Sequence, residues 1–278
     1  MKNYFFLESD IQEIIENISD DVRLFNGKTV ILTGALGFLG RYFLEIFSRL
    51  NDGILNKPCR VMAFDNLVTG SDDYSINYAN NIQFERFDVI KPIKYNRKVD
   101  YIVHAAGIAS PFYYRAHPLE TLDVAIHGAR SFLDLAKRNK ARFTFFSSSE
   151  IYGDPDPKHI PIQESYRGNV STLGPRSCYD ESKRLAETLC YIYHDTFGVS
   201  TNIIRPFNIY GPGMQENDYR LFPNIASLIK AGEPIHVYGS GEQTRTFCYI
   251  TDALVGFIKS ITKGVPGEAY NVGNPTPE

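Results

Sequence analysis

Tyr179 and Lys183 stand four residues apart in Tyr179-Asp180-Glu181-Ser182-Lys183. On a helix that spacing puts both side chains on one face, with the ammonium near the phenol. A cation there stabilises phenolate and brings tyrosine towards base chemistry near neutral pH. Upstream, the apolar stretch Arg142–Phe146 runs into Ser147-Ser148-Ser149-Glu150. A hydroxyl from Ser148 can hydrogen-bond the same substrate oxygen as Tyr179 and steer its proton. Oxidising an alcohol needs only that hydroxyl, the tyrosine and the lysine. The added carboxylate of Glu150 therefore points to a second proton transfer, at the carbon beside a transient ketone. Its alternative is structural: a bond to a backbone amide or to a lysine outside the site. YxxxK alone also arises on solvent-facing helices, so its meaning depends on what precedes it.

What precedes it is a phosphate cradle. Thr29-Val30-Ile31-Leu32 is a continuous apolar run, typical of a strand buried on both faces. Gly34-Ala35-Leu36-Gly37-Phe38-Leu39-Gly40 follows, and then an apolar helix over Tyr42–Leu50. Glycines at such a junction allow a tight turn and let the backbone approach a pyrophosphate, which sits on the helix N-terminus. Asp65 ends the next strand, where an acid meets the adenosine ribose. An aspartate accepts the 2′-hydroxyl and repels a 2′-phosphate, which favours NAD over NADP. Asn66, Thr69 and Gly70 continue that edge. Further stations are Asp88-Val89 after the third strand, Ala105-Ala106-Gly107 after the fourth, and Pro206 after the strand at Thr201–Ile204. Each taken alone could be loop chemistry.

These residues need a frame. Apolar runs at Val61–Phe64, Tyr101–His104, Phe143–Phe146 and Thr201–Ile204 alternate with helical stretches at Pro118–Asn139 and Tyr179–Phe197. Alternation of this kind predicts an α/β fold, a Rossmann-type doubly wound parallel sheet, because parallel neighbours need crossovers. Residues 1–26 read as a helical extension: Ser9 and Gln12 make a capping box, and Ile11, Ile14, Ile15 and Ile18 share a face. Residues 27–205 form the dinucleotide-binding domain. Residues 206–278, with loops such as Gly211-Pro212-Gly213 around a helix at Phe222–Ala231, read as a smaller C-terminal substrate-binding lobe.

With 278 residues, a formal net charge of −3 and a pI near 6.1, the chain offers no basic surface for nucleic acid. No apolar run is long enough to span a membrane, and the start does not read as a secretory signal. The 4 cysteines are scattered, with no metal-ligand spacing. A cytoplasmic protein without a structural metal is expected.

From Thr29 onward the chain resembles the extended short-chain dehydrogenase/reductase enzymes that act on nucleotide-sugars. Ser149-Glu150-Ile151-Tyr152-Gly153-Asp154-Pro155, Gly174-Pro175-Arg176-Ser177-Cys178-Tyr179, Phe207-Asn208-Ile209-Tyr210-Gly211-Pro212 and Tyr238-Gly239-Ser240-Gly241-Glu242-Gln243-Thr244-Arg245 are most similar to UDP-glucuronate decarboxylases. The resemblance implies NAD as cofactor and a UDP-sugar as the favoured substrate. It makes Ser148, Tyr179 and Lys183 a redox centre completed by Ser149 and Glu150. Asn208, Arg220, Arg245 and Tyr193 become substrate contacts, with Arg245 on the pyrophosphate. It also implies a homodimer paired through the helices at Pro118–Asn139 and Tyr179–Phe197, which carry Leu122, Ile126, Leu185 and Leu189.

Three departures stand against the pattern. Where the decarboxylases place a lysine and a Thr-Asn pair, this chain has Asp123, Val124 and Ala125, and an aspartate beside a glucuronate carboxylate is electrostatically unfavourable. Gly213 stands where they have arginine, and the chain ends at Glu278, short of a closing helical segment. A nucleotide-sugar 4,6-dehydratase is the first alternative, although dTDP-sugar dehydratases carry aspartate at the position of Ser149. A 4-epimerase is the next, leaving Glu150 without a task. A non-catalytic NAD-sensing protein is expected to lose Tyr179 or Lys183, and both are present. A NADPH-dependent ketosugar reductase needs a basic residue near Asp65, and Asp65–Asp73 holds none.

Overall fold

The apolar runs become neighbours in one parallel sheet. The computed structural model describes residues 5–69, 81–215, 218–237, 239–242 and 244–276. α1 (Glu8–Ile18) precedes β1 (Thr29–Thr33), which feeds α2 (Phe38–Arg49). β2 (Arg60–Asp65), β3 (Ile82–Arg86) and β4 (Tyr101–His104) follow, then α3 (Pro111–Ala116), α4 (Pro118–Asp123) and α5 (Ala129–Asn139). Next come β5 (Arg142–Phe146), α6 (Ser177–Phe197), β6 (Thr201–Pro206) and the short β7 (Ile209–Tyr210). α7 (Leu221–Ala231), β8 (Cys248–Tyr249), α8 (Ile250–Lys263) and β9 (Ala269–Val272) complete the described chain.

The main sheet runs β3-β2-β1-β4-β5-β6-β9 with every pairing parallel. Strand order reverses between β1 and β4, which opens a crevice at the carboxyl ends of the strands. Helices cover both faces, so neighbouring strand residues enter different cores. Val30 and Leu32 pack with Phe43, Phe47 and Phe257 on one side, while Ile31 joins Phe132, Phe143 and Cys190 on the other. The expected Rossmann sheet is therefore present.

Several local expectations need correction. α1 begins at Glu8 behind Leu7, with no side-chain cap, so the Ser9–Gln12 capping box does not form. Gln12 instead reaches Glu16 at 2.9 Å. α2 starts at Phe38, directly after Gly37, and so sets its first turn against the glycine loop. The stretch at Pro118–Asn139 is interrupted by a wide π-type turn over Val124–Gly128. Most consequential is the tail: α8 packs into the main core, and β9 extends the sheet beside β6. Residues 206–278 are not one separate lobe, because Ala253, Leu254, Phe257 and Ile258 bury an amphipathic face against the sheet. Only the span from Phe207 to about β8 stands apart, around a second, two-stranded sheet of β7 and β8.

A buried charge pair ties α6 to the sheet. The Arg205 guanidinium on β6 donates to Glu187 through Nε at 3.0 Å and Nη2 at 2.7 Å. Ser147 at the end of β5 donates to the same carboxylate at 2.5 Å, and Arg205 Nη1 donates to the Tyr152 hydroxyl at 2.7 Å. Removing one partner of such a pair strands the other charge. Glu187→Ala should therefore cost roughly 3 kcal/mol of stability, the low end for a broken buried pair, because Tyr152 still receives Arg205. Urea unfolding of the variant against the parent checks this; a loss below about 0.5 kcal/mol, the scale of an ordinary surface change, would contradict it.

Candidate active site

The glycine loop has the shape that a dinucleotide needs. Gly34 sits at φ +69°, and a Cβ there would lie 2.8 Å from the backbone of Ala105 and Ala106. A Cβ on Gly40 would collide with the Gly34 carbonyl. Gly37 caps α2, leaving the first-turn N–H groups of Phe38, Leu39 and Gly40 beside the cradle. The Asp65 carboxylate accepts from Leu36 N at 2.9 Å and from Leu67 N at 2.8 Å. Each oxygen keeps a lone pair for a ribose hydroxyl, so the residues present fit an adenosine diphosphate.

The stations beyond Asp65 divide. Asn66 turns its amide oxygen to Val68 N at 3.2 Å, and the Thr69 carbonyl accepts from Gln215 at 3.1 Å. Gly70 lies outside the described residues. Asp88 accepts from Ile90 N at 3.3 Å, and Val89 is buried against Gly128, so both shape a turn.

One cleft of about 770 Å³ gathers the chemistry, within the size range of small-molecule sites. Its lining brings together Phe38, Leu39, Ala105, Gly107 and Pro206, the group Ser148, Ser149, Glu150, Tyr179 and Lys183, and Asn208, Arg220 and Arg245. Tyr193 is the exception. It is buried on the far stretch of α6 with its hydroxyl on Asp134 at 2.7 Å, nearly four turns from Tyr179, so it is no substrate contact.

At the centre Ser148 lies beside Tyr179 and accepts from Glu150 N at 3.2 Å, so it holds the turn that carries Glu150. Burial pushes the Tyr179 phenol up to about 12; Glu150 adds to the rise, while Ser148 and Arg220 oppose it. Burial likewise pulls Lys183 down to about 8, opposed by Glu187. Lys183 does not touch the phenol: its Nζ donates to the Phe146 carbonyl at 2.7 Å and lies 5.8 Å from the Tyr179 ring centre. Its i, i+4 position supplies a nearby charge rather than a bond.

Residues that sequence reasoning gave no role complete the site. Arg176 makes an ion pair with Glu150 and lies 3.6 Å from Asp180. Tyr114 stacks on Tyr179 with ring centres 5.2 Å apart. Arg176 stood inside a quoted motif, one helical turn before Tyr179, and that spacing was the available signal. Tyr114 carried none. Across the cleft, Arg220 is paired with Asp218, and Asn208 donates to the Thr246 carbonyl at 3.0 Å. Arg245 donates to the Thr244 carbonyl at 2.7 Å.

Two departures acquire physical explanations. Asp123 lies 3.6 Å from His127, half exposed and outside the cleft, so it places no negative charge beside a sugar. A Cβ on Gly213, at φ +86°, would strike the Phe5 ring, over which the Arg41 guanidinium sits at 4.6 Å. An aromatic side chain occupies the space into which an arginine would project.

The parallel sheet, the glycine loop and the cleft at the strands' carboxyl ends are those of a dinucleotide-binding Rossmann-type protein. A model of the NAD dependent epimerase/dehydratase family matches residues 30–273, and the chain belongs to that family, with NAD as its cofactor. It is 40% identical over 248 residues to UDP-glucuronic acid decarboxylase 1 of Arabidopsis thaliana, covering 88% of this chain and 54% of that one. The chain thus spans about half the length of the first curated relatives it matches. Among solved structures, an epimerase of Methanothermobacter thermautotrophicus superposes with a TM-score of 0.79 at 25% identity, covering 95% of this chain and 77% of that one. UDP-N-acetylglucosamine 4-epimerase of Methanobrevibacter ruminantium, in complex with UDP-N-acetylmuramic acid, superposes with a TM-score of 0.74 at 28% identity, covering 89% and 77%. Among the described residues no helix is long and apolar enough to cross a membrane, and no group of three His, Cys, Asp or Glu could hold a metal.

The Lys183 shift has a stability consequence. Its folded-state value of about 8 lies below the ordinary 10.5, so holding it charged burdens the cofactor-free fold below pH 8. That burden lifts as pH rises from about 8 to 10.5, where the folded chain binds fewer protons than the unfolded one. Lys183→Met should therefore stabilise the cofactor-free protein at pH 7 by roughly 1–3 kcal/mol, less the lost bond to Phe146. The gain should shrink towards pH 10. Thermal melts across pH check it, and a variant less stable than the parent at pH 7 would contradict the assignment.

Proposed function

We propose that the chain is a UDP-glucuronate decarboxylase working through a 4-keto sugar. The carrying observation is Glu150, held in the cleft beside the Ser148–Tyr179 pair. Identity of about 40% to curated UDP-glucuronic acid decarboxylases supports the same reading. The glycine loop, Asp65 and Lys183 hold NAD. When bound, NAD supplies hydride acceptance from sugar C4 and its return.

Tyr179 takes the proton of the C4 hydroxyl, with Ser148 on the same oxygen. The resulting ketone lies β to a carboxylate on C5. The C5–carboxylate bond breaks, its electron pair forms the C4–C5 enolate, and carbon dioxide leaves. Glu150 takes up a proton from solvent and delivers it to C5, and Tyr179 returns the first proton to the C4 oxygen as the alcohol re-forms. Asn208, Arg220 and Arg245 hold the nucleotide end, where a planar guanidinium suits a pyrophosphate. The protein works as a homodimer through α4 and α6: Leu185 and Ile192 share one face of α6, about two turns apart, and are 45% and 40% exposed, and Leu119 on α4 is 70% exposed. A 4-epimerase is the second reading, favoured by the lack of the decarboxylases' lysine at Asp123 and by the UDP-N-acetylglucosamine 4-epimerase likeness.

Incubation with NAD and UDP-glucuronate labelled in its carboxyl carbon tests the proposal. Labelled carbon dioxide and a UDP-pentose are expected. Glu150→Gln should lower pentose formation at least about a hundredfold, the scale of a lost general acid, while a 4-keto sugar accumulates. Retention of all label in a C4 epimer would overturn the decarboxylase reading.

A further inference from the structure

The cleft contains a cation that the proposed reaction has not used. Arg176 lies one helical turn before Tyr179 and lines the cleft together with Glu150 and Tyr114. Its Nη2 is engaged by Glu150, and its Nε faces Asp180 at 3.6 Å. Nη1 has no partner among the described residues. The guanidinium side chain is 42% exposed and Glu150 is 40% exposed, so a ligand can reach this corner.

The other cations of the cleft do not face Glu150. Lys183 donates to the Phe146 carbonyl, Arg220 turns its Nε and Nη2 to Asp218, and Arg245 donates to the Thr244 carbonyl. Where the decarboxylases have lysine, this chain has Asp123, turned away to His127. A negatively charged group on the carbon next to C4 would meet Glu150 in the cleft, and Arg176 is the cation placed beside that carboxylate. A second feature points to the same corner. The Tyr114 hydroxyl is buried without a hydrogen-bond partner among the described residues, while its ring stacks on Tyr179. An unpaired buried hydroxyl is costly, and a ligand oxygen would satisfy it.

The geometry points to Arg176, with Tyr114, as the receptor for the C5 carboxylate of the sugar, and hence as the specificity-determining residue of this chain. Five N–H donors in a planar fork let one guanidinium hold Glu150 on one nitrogen and the substrate carboxylate on another. The substrate carboxylate and Glu150 are thereby kept side by side, and Glu150 relays a solvent proton to C5 once carbon dioxide has left. The inference rests on the decarboxylase reading, but its test does not depend on turnover.

Binding of UDP-glucuronate and of UDP-xylose, which lacks the carboxylate, is measured by calorimetry on the NAD-loaded protein in a Tyr179→Phe background. The parent should prefer UDP-glucuronate. Arg176→Met should weaken UDP-glucuronate by about 10- to 100-fold, the scale of a lost charge-assisted bond, and move UDP-xylose by less than about 3-fold. Arg176→Lys should recover part of the preference, and Tyr114→Phe should erode it by a few-fold, as for a lost neutral hydrogen bond. Equal losses for both sugars with NAD affinity retained would make Arg176 a support for Glu150 alone and overturn the inference. So would an unchanged preference, or a parent without one. If the carboxylate preference follows Arg176 while no labelled carbon dioxide forms, the subsite stands and the decarboxylase reading falls.

Discussion

The site depends on one constraint: α6 must stay locked against the carboxyl ends of β5 and β6. The Glu187–Arg205 fork provides that lock. Glu187 follows Lys183 by one turn, so the carboxylate that receives Arg205 and Ser147 also faces the lysine charge. From the same corner Arg205 reaches Tyr152, and Tyr152 reaches Asn271 on β9 at 2.8 Å. The helix bearing Tyr179 and Lys183, the turn bearing Glu150 and the last strand therefore share a single polar network. Buried networks of this kind rigidify when every member is satisfied.

Water exclusion sets the chemistry of what that lock holds. The same burial raises Tyr179 and lowers Lys183, since in each case the charged form loses its hydration. Without further positive charge, Tyr179 keeps its proton at neutral pH. A cation arriving in the cleft moves the phenol towards phenolate. Glu150 is arranged differently, being half exposed and matched by Arg176. Two proton-handling groups about one serine thus have different environments, as a two-step proton transfer requires.

Much of this was legible in sequence, for physical reasons. Continuous apolar runs marked the strands buried on both faces, and their alternation with helices fixed parallel pairing. Gly34, Gly40 and Asp65 were readable because their backbone demands leave few other residues possible. Tertiary pairing was not legible. Gly273 and Val272 follow a loop-like tail, and nothing in their spacing announced that β9 joins β6. Tyr193 shares α6 with Tyr179, but 14 residues carry it to the opposite end of the helix and into the core beside Asp134. The sequence position of Asp123 matches a site lysine of the decarboxylases, but Asp123 lies outside the cleft, where the wide turn at Val124–Gly128 begins. Arg176 is the converse case, a residue whose partner became visible only when the turn after β5 was laid against the start of α6.

The central claim is that Glu150 delivers a proton to C5 of a 4-keto sugar after its carboxylate has left. Reaction of UDP-glucuronate with the NAD-loaded protein in deuterium oxide, followed by nuclear magnetic resonance of the nucleotide-sugar product, tests it directly. The account predicts a pentose with one deuterium at C5, in a single configuration, and protium retained at C4. A product with protium at every ring carbon would contradict it, because chemistry would then have been confined to C4.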